Sequence, residues 1–174
     1  MNENWYEVVS SDSQILQGDF IEDCPYIRPP KEVLKSGDKV NLKVSIADGV
    51  VMSQSCDLVE DKIDLVLICP LIPLNVLANN STYFAGQEGK NKLRAGDIYP
   101  YHLLNKYSIG KFKADFRVVS FKDVFSIDLE ALRSLTRNNG KRLRLNSPYR
   151  EHLSQAFARY FMRVGLPSNI PPFK

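Results

Sequence analysis

The chain has no apolar run long enough to cross a membrane as a helix. Its longest apolar stretch, Leu65 to Leu77, is cut by Pro70 and Pro73. The opening residues 1–14 carry neither a basic segment nor an apolar one, so no secretory leader and a cytoplasmic location are expected. Cysteine is sparse and odd in number, at Cys24, Cys56 and Cys69, which argues for free thiols rather than a disulfide framework. No Cys-x-x-Cys pair exists and histidine occurs only as His102 and His152, so neither a metal site nor a cofactor is expected. Repeats and low-complexity tracts are absent too, which leaves a single 174-residue domain, long enough to bury its own core.

Acidic residues are nearly missing from one end. Between Ala131 and Lys174 nine Lys or Arg face one acid, Glu151, giving that section +8 against −5 for the rest. Such an asymmetry points to a nucleic acid or an acidic protein surface as partner. The candidate grip is Arg142, Arg144, Arg150, Arg159 and Arg163, because guanidinium forks match phosphates. In Lys141–Leu145 the alternation predicts Leu143 and Leu145 inward, with Arg142 and Arg144 outward on a strand. The competing reading has these arginines fix the last helix to the acidic body through surface pairs.

What is present reads as strands first and helices later. Lys39 to Ile46 alternates, with Val40, Leu42, Val44 and Ile46 on one face, which predicts a half-buried strand. Asp48-Gly49 then predicts a tight hairpin turn. Beyond it, Val50–Gln54 and Ile63–Cys69 predict an interior pair, nearly all apolar. Gly18–Asp23 predicts a further strand stopped by Pro25. Residues 75–97 lack strand pattern and predict short helices in an insertion. Strands over Asp115–Phe121 and Val124–Ile127 precede a helix from Asp128 to Arg137, with Asp128 as cap. The last helix has Ser147 as cap, Pro148 at its first position and an apolar stripe of Leu153, Ala156, Phe157, Tyr160, Phe161 and Val164. Gly165 and Pro167 end it. His152, Gln155, Arg159 and Arg163 form a polar face.

The expected fold is mainly β, within the α+β class: an SH3-like, partly open antiparallel barrel with a helical insertion and a C-terminal amphipathic helix. Within the single domain 1–174, the barrel covers 15–137, its insertion about 75–97, and the basic strand and helix 141–167. Gly18-Asp19-Phe20, Val50 to Ser53, Leu67 to Ile72 and Val119 to Asp128 together resemble the PemK/MazF growth-inhibitor toxins. That resemblance implies an SH3-like barrel that cleaves RNA, commonly as a dimer held by an antitoxin. Asp48-Gly49 stands where the family has Arg-Pro, and Pro70-Leu71-Ile72-Pro73 lacks the family's threonine, so its active site does not carry over. Gln17-Gly18-Asp19, Ser53 to Leu58 and Ser147 to Pro167 also resemble blocks shared by a group of bacterial proteins, which implies kinship and bacterial origin without an activity.

The polar knot Ser53-Gln54-Ser55-Cys56-Asp57 allows two readings. Cys56, aided by Gln54, Asp57 and His102 or His152, could act as a nucleophile, although its neighbour Asp57 is an acid rather than the cation a thiolate needs. Alternatively the knot satisfies the backbone where a buried strand ends. Three functions are thus expected in turn. The first is a toxin-like domain contacting nucleic acid, a degenerate or divergent endoribonuclease of a defence or mobile-element system. The second is a non-catalytic module that docks on a partner protein from the same operon, with oligomers allowed. The third is a thiol-dependent hydrolase using Cys56.

Overall fold

The computed structural model describes residues 4–28, 35–37, 39 and 41–162. Val40, Arg163, Val164, Gly165 and Pro167 lie outside them. In chain order the elements are β1 (Tyr6–Val9), β2 (Phe20–Ile27), β3 (Val44–Val51), α1 (Ser55–Val59), β4 (Leu65–Pro73), α2 (Leu74–Asn79), α3 (Thr82–Ala85), α4 (Gln87–Ala95) and β5 (Tyr101–Leu104). There follow β6 (Tyr107–Ile109), β7 (Phe112–Ala114), β8 (Arg117–Ser120), β9 (Phe125–Asp128), α5 (Leu129–Asn139), β10 (Arg142–Leu145) and α6 (Tyr149–Phe161). The class is α+β, and every strand pair among the described residues is antiparallel. These strands do not close into a barrel; the main sheet runs β2-β3-β4-β8-β5 and stops at both edges.

β4 is the axis of the sheet. It pairs with β3 through Ile68–Pro70 on one side, and with β9 and then β8 on the other. A 3-10 turn, Phe121–Asp123, separates these last two strands. The run is apolar at nearly every position; both faces are covered from Ile68 to Ile72, whereas Leu65 and Leu67 at its start are exposed. Val50, Cys69 and Leu71 face a core shared with Leu143, Leu145 and Leu153 of α6. Val51, Val66 and Ile68 face a second core closed by Leu129 and Leu132 of α5. The insertion forms three short helices, whose Leu77, Phe84 and Leu93 bury Val118 from β8. Asp128 caps α5, accepting from the Ala131 N–H at 3.0 Å.

Two sequence expectations are corrected in β3. Asp48-Gly49 is not a hairpin turn but lies inside the strand, with Gly49 between Ile21 of β2 and Pro70 of β4. Glycine is needed there for space, since a Cβ would come within 2.3 Å of the Ile68 Cγ2. The alternating face is also exposed rather than half-buried: Leu42, which precedes β3, and Val44 and Ile46 within it are 52%, 57% and 65% accessible. The cause is reach. Only Gly49–Val51 pair with β4, so the first half of β3 has β2 as its sole strand partner among the described residues. β2 likewise continues through Pro25 to Ile27, because an edge strand tolerates a missing N–H. A register shift at Glu22-Asp23, with Asp23 at φ 53°, absorbs the bend.

The deepest correction concerns the basic strand. Arg142 and Arg144 are buried, as are Leu143 and Leu145, so β10 is covered on both faces. β1 pairs with it along its whole length. Beneath it lies Asp19, fully buried, whose carboxylate accepts from Arg142 Nε at 2.7 Å and from Arg144 Nε and Nη2 at 2.5 and 3.0 Å. The Leu16 N–H donates to the same carboxylate at 3.2 Å. The guanidiniums reach further acceptors: Arg142 donates to the carbonyls of Ser10, Ser13 and Gln14, and Arg144 Nη2 to that of Gln14. Removing the carboxylate would strand two buried cations. Asp19→Ala should therefore cost about 3–5 kcal/mol in urea unfolding, with little recovery at high salt because the group is shielded from solvent ions. An Asp19→Ala variant as stable as the parent would contradict this account.

Candidate functional site

Three sequence blocks far apart in the chain meet at the start of α1. Gln17 donates from its side chain to the Met52 carbonyl at 2.8 Å and from its backbone to Ser55 Oγ at 3.1 Å. The Gly18 N–H donates to the Val51 carbonyl at 2.9 Å. Gly18 adopts φ +86°, and Arg150 packs over it so closely that a Cβ would sit 3.2 Å from the Arg150 Cγ. Glycine is required there for both reasons. Ser53 is buried and accepts from the Leu67 N–H at 2.9 Å, tying the end of β3 to β4.

The two serines of the polar knot thus serve the backbone, while Gln54 and Cys56 remain exposed. Both line a cleft of about 480 Å³ whose other walls include Gln17, Arg150, Glu151, Ser154 and Gln155. The Cys56 thiol lies 3.6 Å from Asp57 Oδ1, a weak hydrogen bond within α1. Arg150 donates twice to Glu151 Oε1, at 3.1 and 2.7 Å, and holds that carboxyl below its ordinary range.

A second cleft, of about 340 Å³, opens between α4, β5 and α6. Arg94, Tyr99, Tyr101, His102, His152 and Arg159 line it, and Gln155 is common to both clefts. His102 stacks near Phe121, ring centres 6.4 Å apart. Burial, with a smaller push from His152, drives the His102 imidazole down to about 4, so it is neutral at pH 7.

The sequence-derived candidates are therefore divided. Cys56, Gln54 and Asp57 stay together on and beside α1, but His102 belongs to the other cleft, and no thiol–imidazole pair is assembled in either. Arg150 and Arg159 line the clefts, Arg142 and Arg144 are interior, and Arg163 lies outside the described residues. Arg94, Tyr99 and Tyr101 were missed, since an insertion without a motif gives no sign of what it faces. Helical spacing in the sequence sets Gln155 and His152 beside Arg159 on one polar face, without a role for Gln155. Among the described residues no three His, Cys, Asp or Glu side chains are grouped to hold a metal, and no helix is long and apolar enough to cross a membrane. No family model matches the chain, and no curated protein gives a significant match.

Two outcomes follow from burial. Cys24 and Cys69 are fully buried, their thiols pushed up to about 11 and about 12, whereas Cys56 is exposed. Iodoacetamide on the folded protein at neutral pH should add a single label, found at Cys56 by peptide mass spectrometry. The second concerns acid. With its folded value near 4 and an ordinary value of 6.5, His102 takes its proton in the unfolded chain first. Its contribution to stability is complete above pH 6.5 and is lost as pH falls towards 4, by up to roughly 3 kcal/mol. Urea midpoints measured from pH 7 to 4 should fall less steeply in His102→Gln than in the parent.

Proposed function

We propose that this chain is a toxin-like domain that contacts nucleic acid along the polar face of α6. The observation that carries the reading is the pair of clefts sharing Gln155, one setting Arg94 and Arg159 beside tyrosine and imidazole rings and the other lined by Arg150. Guanidinium groups beside aromatic rings suit a ligand that offers phosphates and flat bases at once. The grip differs from the one expected from sequence. Arg142 and Arg144 stabilise the interior, and the exposed work falls to Arg94 and Arg159.

In this proposal the strands form an SH3-like, partly open barrel akin to the PemK/MazF toxins, in a bacterial cytoplasmic defence or mobile-element system. The sharing of β4 among β3, β8 and β9 supports it, as do the backbone bonds of Gly18 and Asp19 to both β3 and β10. Cys56 shares its cleft with neither histidine, which favours a degenerate, binding form over a thiol-dependent hydrolase. A non-catalytic docking module is the second reading, favoured by the exposed apolar residues Ile27, Leu42, Val44 and Ile46.

Titration of labelled RNA and DNA across a salt series tests the proposal. Affinity should fall steeply with salt, and Arg159→Gln or Arg94→Gln should each weaken binding several-fold and lower the salt slope by about one. Absence of binding at low salt would end the nucleic-acid reading and turn attention to a pull-down on the β2–β3 surface.

A further inference from the structure

We infer that the cleft between α4, β5 and α6 accepts an unstacked base of a single-stranded nucleic acid. The inference rests on the function proposed above and narrows its ligand from nucleic acid in general to a single strand.

Three features of the cleft converge on that ligand. The first is its cations. Arg94 comes from α4 and Arg159 from α6, so positive charge enters from two different elements. Both are exposed, and neither makes an ion pair among the described residues, whereas Arg117, Arg133, Arg142, Arg144 and Arg150 all do. Two uncommitted guanidiniums at one cleft are placed to meet phosphates flanking whatever enters it.

The second feature is its rings. Tyr99 is 52% accessible, a large exposed aromatic at a concave surface. Tyr101, in the same cleft, is braced edge-on by Phe84 at 5.5 Å and has the Lys122 ammonium 5.2 Å from its ring centre. His102, stacked near Phe121, is neutral and so offers one donor and one acceptor to a base edge. Aromatic faces attract any base, with little regard to sequence.

Size is the third. At about 340 Å³ the cleft is at the small end of ligand sites, suited to one flat group rather than to a helical backbone. A base can enter only after leaving its stack, which costs least when the strand is already single. Gln155, at the boundary with the Cys56 cleft, then lies on the path of the neighbouring nucleotide towards Arg150.

The test compares a fluorescein-labelled single-stranded RNA of about 12 nucleotides with a duplex of the same length, by anisotropy at low salt. The single strand should bind about tenfold tighter, and Tyr99→Ala should remove about tenfold from that probe while leaving the duplex unchanged. Tyr99→Phe, which keeps the ring, should bind like the parent. A single strand carrying 4-thiouridine should photo-crosslink within residues 94–102 of the unaltered protein, a readout independent of how any variant folds. Equal affinity for the two probes, or a Tyr99→Ala variant matching the parent while Arg159→Gln still binds weakly, would overturn the base cleft and leave nucleic-acid contact standing. Failure of both probes to bind would remove both ideas.

Discussion

One buried carboxylate organises this fold. Asp19 accepts from two arginines of β10, and the same guanidiniums donate to the carbonyls of Ser10, Ser13 and Gln14. The loop between β1 and β2 has no ladder of its own; the Ser10 carbonyl also accepts from the Ser13 N–H, and the guanidiniums supply the donors to the carbonyls of Ser13 and Gln14. Because the same segment also bonds Val51 through Gly18 and Asp19, the arrangement fixes where β3 ends. The position of α1 and of Cys56 follows from that. An apolar substitute could match the packing of this cluster, but could not satisfy a bent loop with directional bonds.

The candidate site inherits that organisation. Gln17 precedes the ion cluster by two residues and reaches across to Met52 and Ser55, so the cleft wall is continuous with the fold's polar interior. On the other wall, α6 is seated by Trp5 stacked on Tyr149, ring centres 3.8 Å apart, and by Leu153 in the core. Both walls are thus anchored before any ligand arrives, which lowers the ordering cost of binding. The second cleft is built differently, from an insertion of short helices against the far end of α6.

Much of this was legible in the sequence wherever a single element decided the outcome. The pairing of Val50-Val51 with Ile68-Cys69, the Asp128 cap and the Leu153, Ala156, Phe157 and Tyr160 part of the stripe on α6 follow from local pattern, and the structure has them, whereas Phe161 is exposed. What failed was inference about the unseen side of an element. Arg142 and Arg144 alternate with leucines as a solvent-facing row would, yet the row is roofed by a loop whose anchor lies more than a hundred residues away. Val44 and Ile46 alternate as a core-facing row would, yet β4 does not extend beneath them. Periodicity tells which residues share a face; only tertiary pairing tells what covers it. The site divided along the same line, with Cys56 and Gln54 found through their motif and Arg94 and Tyr99 hidden in a segment that has none.

The pairing of β1 with β10 carries a consequence for how the protein is made. Tyr6 lies opposite Leu145, and Asp19 opposite Arg144, so the first strand and the first buried charge wait for partners synthesised near the end of the chain. On the ribosome, residues 6–19 emerge long before anything can close over them, and at ordinary elongation rates the delay is several seconds. During that interval Asp19 stays hydrated and the β3–β4 core can assemble without it. Completion is a late docking step of high sequence separation, slow by its topology and triggered when β10 clears the exit tunnel.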